Sequence, residues 1–207
     1  MIDLHDWSER LIATGTRALG PGFLTSGASG LDDFADEFGS RPEIAHPLVA
    51  AVLGVSPGPA PTGAAPDVRL WYALHQAAPD VRIADQPMEG PLLDLPEDTS
   101  IEVRTEAELS ALHALSRLAA VHARADWARR AAGAALWHIR TMQPDNATNH
   151  PWAIQVFLER AAKTGEPESR MFAETLLHNC HVSLGRPDRL SAVILIDAGR
   201  ALATTIA

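Results

Sequence analysis

Two stop-and-start signals punctuate the second half of the chain: Gly165 is followed by Pro167, and Gly185 by Pro187. A glycine just past a helix end adopts the left-handed conformation that closes the helix. A proline in a first turn loses nothing, because its missing N–H would have no partner within the helix. Apolar-periodic segments flank both signals and predict helices at about 106–122, 126–142, 151–163, 167–184 and 188–205. Connections this short keep sequential helices antiparallel, so the expected fold class is all-α: helical hairpins in a bundle or short solenoid-like array, with at most one short β element. The final segment, 190–202, is apolar almost all round and belongs at the centre. Thr105 and Glu108 have capping-box spacing and mark the first helix start.

The first half is less regular. Asp3 can cap a helix over 4–18 that presents Leu4, Trp7, Leu11, Ile12 and Ala18 on one face. The stretch 27–30 lacks the preceding strand and following lysine of a phosphate loop, and is expected to be a flexible entry to a helix over 31–38. The acidic side chains of that helix lack the spacing of a calcium loop. Further helices are expected at 46–53 and 67–78. Residues 54–66 hold three glycines and four prolines and predict a linker or ordered loop. Residues 79–100, with four prolines, predict extended chain wrapped over the helical body, and 101–104 a short strand. The division is thus residues 1–104, N-terminal helices with a wrapping segment, and 105–207, a five-helix array, within one integrated domain.

Charge follows the same division. The net charge is −9, but residues 1–110 carry 18 acidic and 6 basic side chains, whereas residues 111–207 carry 8 and 11. Overall acidity excludes nonspecific binding to nucleic-acid phosphates, and the opposed halves suit contact within the fold or across a homo-oligomer. Sixteen arginines against one lysine, Lys163, reflect a GC-rich, bacterial-like coding bias. One cysteine, Cys180, excludes an intrachain disulfide framework. With no apolar run long enough for a membrane span and no signal-peptide pattern, a cytoplasmic protein is expected.

The densest chemistry lies where helix 126–142 meets its successor. The apolar stripe of that helix comprises Trp127, Ala131, Ala134, Ala135, Ile139 and Met142, and His138 interrupts it. A buried imidazole needs hydrogen-bond partners, and the loop that follows, Gln143 to His150, is the nearest supply. Pro144 stops the helix, Asp145, Asn146 and Asn149 can bond turn amides, and Asn149 can cap the next helix. As a corner these residues are structural. As a pocket, His138 or His150 would be the base with Asp145 beside it, while Gln143, Asn146, Asn149, Arg140 and the off-stripe Trp137 would orient a small polar ligand.

Glu174, His178 and His181 share one helical face and could hold a divalent metal with a fourth ligand from His138 or His150. The pattern is not that of a zinc protease, and Glu174 with His178 is also an ordinary surface pair. No other cofactor is evident. Cys180 lies on an apolar stripe as a core residue, and Asp197, in the apolar last helix, has Arg200 within reach. His138 and His181 each stand six residues before a Pro-Asp, 43 residues apart; the period suits a hairpin repeat, although matching prolines are what any two helix ends show. With no catalytic signature present, the leading expectation is a non-catalytic binding or oligomerisation module with a protein or small polar ligand as partner. The alternative is a hydrolase or lyase, acid-base or metal-assisted, acting on a small molecule or saccharide around His138 and residues 143–150.

Overall fold

The structure, a computed structural model, describes residues 2–142 and 149–206. Among these the protein is all-helical, with no strand: α1 Leu4–Leu19, α2 Gly27–Asp32, α3 Ala45–Leu53, α4 Pro66–Ala73, α5 Ile101–Val121, α6 Ala125–Thr141, α7 Ile154–Thr164, α8 Pro167–Val182 and α9 Arg189–Ile206. The terminators act as their chemistry dictates. Asp3 accepts the backbone N–H groups of His5 and Asp6 at the start of α1, and Gly165 closes α7 in the left-handed conformation. Pro167 sits in the first turn of α8, while Asp188 caps α9 through the N–H of Ser191.

Four local expectations are corrected. Residues 101–104 are the first turn of α5, not a strand, because the Ser100 hydroxyl accepts the Val103 N–H. Ile101 and Val103 project into solvent at 54% and 60% exposure, so their β-branched side chains have no sheet to pack on. Thr105 is consequently inside the helix and fully buried rather than its cap. The 27–30 stretch, expected to be a flexible entry, is itself helical, and the chain turns irregularly after Asp33 instead of continuing helical to Phe38. Finally, α7 begins at Ile154 with Ala153 as its N-cap, displacing Asn149 from that role.

One contiguous core joins both halves of the sequence. Leu11 from α1, Leu48 from α3, Trp71 from α4, Leu112 and Leu115 from α5, Phe157 from α7, Leu176 from α8 and Ile194 from α9 all belong to it. As its all-round apolar pattern requires, α9 is central: Val193 to Ile196 are wholly buried. Residues 79–100 wrap the body as expected, and the wrap is tied down by charge. Arg130 of α6 donates to the carbonyls of Ala84, Met88, Gly90 and Pro91, and the buried Glu108 accepts the N–H groups of Leu92 at 2.7 Å and Leu93 at 2.9 Å. Burial pushes the Glu108 carboxyl above its usual range, against those bonds and Arg130.

The closest pairing of helices joins α1 to α9. A Cβ on Gly15 would lie 2.4 Å from the carbonyl oxygen of Ala192, and one on Gly199 would lie 2.9 Å from that of Ser8. Backbone therefore meets backbone, and the Ser8 hydroxyl donates to the Gly199 carbonyl at 2.7 Å. Gly15→Ala must push the two helices apart and is expected to cost about 1–3 kcal/mol in urea unfolding, as overpacking does. Wild-type stability in that variant would refute the close approach.

Candidate functional site

Glu106, Ser110, His113 and Arg117 recur on α5 at intervals of four, three and four residues, so they form one polar stripe directed into the body. At its centre His113 is fully buried. Its Nε2 lies 3.1 Å from Asp197 Oδ2 of α9, and its Nδ1 accepts the backbone N–H of Ala153 at 3.2 Å. That second bond requires an unprotonated Nδ1, so the ring is neutral and Nε2 carries the donated proton. Burial lowers the His113 pKa in the same direction, overcoming the pull of Asp197. Burial pushes the Asp197 carboxyl up, but the Arg117 guanidinium, with Nε 3.1 Å away, the His113 hydrogen bond and the Arg200 charge together outweigh it and hold the pKa below its ordinary value. The expected Asp197–Arg200 partnership is replaced by this one; Arg200 donates instead to the carbonyl of Val52.

The stripe continues toward the N-terminal end of α5. Ser110 accepts the Trp71 indole N–H at 3.2 Å and shares a hydrogen bond with Asp67, whose carboxyl burial raises. Glu106 accepts both the Trp152 indole N–H and His150 Nδ1, and His150 Nε2 lies 3.7 Å from Asp188. Burial alone would lower the His150 pKa, but Glu106 and then Asp188 outweigh it and raise it. The two carboxylates thus favour the protonated form of His150, whose side chain is 28% exposed. This arrangement can hold and release a proton near the surface.

The residues anticipated at the 137–150 junction part company. His138 is fully buried, as its place on the apolar stripe demands, but neither ring nitrogen has a hydrogen-bond partner among the described residues. Its closest ring neighbour is Trp137, at 4.9 Å between centroids. Desolvation lowers its pKa to about 3, which makes it a neutral packing group. Arg140 pairs with Glu89, and Asn149 is exposed in a bend. Gln143, Asp145 and Asn146 lie outside the described residues. His150 faces α5 and α9, whereas His138 is sealed beneath α6, so the two histidines serve different surroundings.

Glu174, His178 and His181 do share a surface, beside Trp7 and Arg10 of α1. Their contacts are not those of a ligand set: Glu174 pairs with Arg170, and His181 Nδ1 lies 2.7 Å from the Leu177 carbonyl oxygen. Among the described residues no cluster of three or more His, Cys, Asp or Glu side chains could hold a metal. Cys180 is buried, with its thiol pushed up to about 12 by burial, in keeping with a core residue.

A feature that the sequence did not announce is a cleft of about 400 Å³ walled by α5, α6, α7 and α9. Alanines from α5, α6 and α9 and Val156 of α7 form its apolar lining. Arg117, Arg160 and Lys163 bring positive charge to it, with Glu159 and Thr205 at its polar edge. The Nε atoms of Arg117 and Arg160 are buried without a hydrogen bond among the described residues, although Arg117 Nε keeps its electrostatic contact with Asp197. Glu159 accepts the Thr205 hydroxyl at 3.0 Å, and burial raises its carboxyl pKa. Each wall follows helical spacing, as in Ala128, Ala131, Ala132 and Ala135 on α6. The only sequence signal for the cleft was the positive balance of this half of the chain.

Comparison with known protein families, with curated proteins and with solved structures yields no match. No helix among the described residues is long and apolar enough to cross a membrane.

Two stability measurements test this description. His113→Leu would leave Asp197 without its imidazole and the Ala153 N–H unpaired, so a loss of about 3 kcal/mol or more is expected by denaturant unfolding; a change below about 1 kcal/mol would contradict the buried linkage. His138 has a depressed folded pKa, so the unfolded chain binds the extra proton and stability falls as pH drops below about 6.5 toward 3, by roughly 1 kcal/mol per pH unit. His138→Leu should flatten that part of the acid profile. Parallel profiles for the two proteins between pH 6 and 4 would show that the imidazole is not held neutral.

Proposed function

We propose that the protein is a non-catalytic binding module whose ligand, a small polar molecule, occupies the four-helix cleft. The observation that carries this reading is a contrast in how polar groups are used. His113 and Asp197 are sealed in the core, and His138 is buried and neutral. The cleft, by comparison, is open and lined by donors around an apolar surface, the composition typical of ligand sites. The acidic first half braces this body through the wrap held by Arg130 and Glu108. Exposed Met171 and Val182 on α8 offer apolar surface for a second copy or a protein partner. A cytoplasmic setting suits a molecule whose one cysteine is free and buried.

A second reading, a hydrolase or lyase working by acid-base chemistry, draws support from one observation: His150, partly exposed, stands between Glu106 and Asp188. There His150 would be the proton donor and Glu106 its orienting group.

The two separate in one experiment. Thermal denaturation against a broad small-molecule library is expected to yield ligands that raise Tm, and Ala132→Trp, which fills the cleft mouth from an exposed helical position, should abolish the shift. Ligands that stabilise Ala132→Trp equally would sink the binding reading. Turnover of a hydrolysable or eliminable substrate that disappears in His150→Gln would replace it with the catalytic one.

A further inference from the structure

We infer that the cleft takes a compact apolar body carrying a single oxyanion, either carboxylate or phosphate. The inference rests on the binding reading above and specifies its ligand class. The apolar surface is made of alanine methyl groups from α5, α6 and α9 together with Val156 of α7, so a compact apolar body, such as a ring system, would bury area against it.

The head group follows from the polar edge. Arg117 and Arg160 are each largely buried, at 18% and 19% side-chain exposure, and each spends only part of its fork on a carboxylate. Arg117 meets Asp197 through Nε, and its terminal nitrogens make no hydrogen bond to a described residue. Arg160 gives one terminal nitrogen to Glu166 and keeps the other. Lys163, the chain's one lysine, has no ion pair among the described residues. Donors therefore exceed acceptors in the cleft, and an oxyanion is the partner they match. Glu159, which also lines the cleft, accepts the Thr205 hydroxyl at 3.0 Å.

The volume of about 400 Å³ suits a molecule of bicyclic size. The probes are 2-naphthoate, 2-naphthyl phosphate and neutral 2-naphthamide, which share a ring system and differ in the head. Calorimetric titration of the wild-type chain is expected to give binding of one or both anions, with the amide at least about tenfold weaker. Lys163→Gln, an exposed substitution that leaves the core untouched, should weaken the anions about fivefold or more and leave the amide unchanged. Ala132→Trp should remove all binding. Tighter binding of the phosphate would assign the head as phosphate, and tighter binding of the carboxylate would assign it as carboxylate; both support the inference. Equal binding of amide and anions, still blocked by Ala132→Trp, would overturn the oxyanion while leaving the cleft as a binding site. Absence of binding by all three probes would overturn the inference alone, since the broader reading is decided by the library screen. Anion binding that survives Ala132→Trp would overturn this inference together with its assignment to the cleft.

Discussion

The contact on which the rest of the arrangement depends is the buried connection Arg117–Asp197–His113–Ala153 N–H. It crosses from α9 through α5 to the start of α7, in a core otherwise built mainly from leucine and alanine with valine, isoleucine and aromatic side chains. Hydrophobic burial is non-directional and would tolerate small rotations of these helices. A neutral imidazole that must donate from one nitrogen and accept at the other does not, since a misplaced turn leaves a carboxylate or an amide unpaired in a dry interior. The connection also holds Ala153 in a left-handed conformation, φ 56°, which is costly for a residue with a Cβ and which sets the angle at which α7 departs.

The three prominent histidines illustrate how environment assigns one side chain different work. His113 is neutral because it is buried and must accept a backbone N–H. His138 is neutral because nothing described nearby would stabilise its charge, and His150 is pulled the other way by two carboxylates. The pH consequences of the last two oppose each other. Charge on His150 favours the folded state below its raised pKa and that contribution is lost on alkalinisation, whereas the buried neutral His138 costs stability as the pH falls.

How much of this was readable beforehand depends on the range of the interactions involved. The glycine and proline punctuation, the Asp3 cap and the all-apolar last helix act within a turn or two, and so the helical array was legible. The misreadings arose where tertiary contacts decide. Ile101 and Val103 favour a strand only if a neighbouring strand exists, and Asn149 could cap α7 only had His113 not claimed Ala153. His113 sat among leucines without any ligand-like spacing; its sole sequence trace was the interval of four, three and four residues from Glu106 to Arg117, which a search for amphipathic patterns treats as noise. The cleft was invisible for a related reason. Its alanines belong to separate helices, and an alanine reads as a helix former until the packing decides whether it faces a neighbour or a void.

The glycine-mediated seam between α1 and α9 has a kinetic side. The Ser8–Gly199 hydrogen bond spans 191 residues, so the strongest helix pairing in the molecule is also among its most remote along the chain. During synthesis the apolar face of α1, with Trp7 and Leu11, must wait until the segment around Gly199 has left the ribosome. Throughout that interval it is an exposed apolar surface of the kind that chaperones bind.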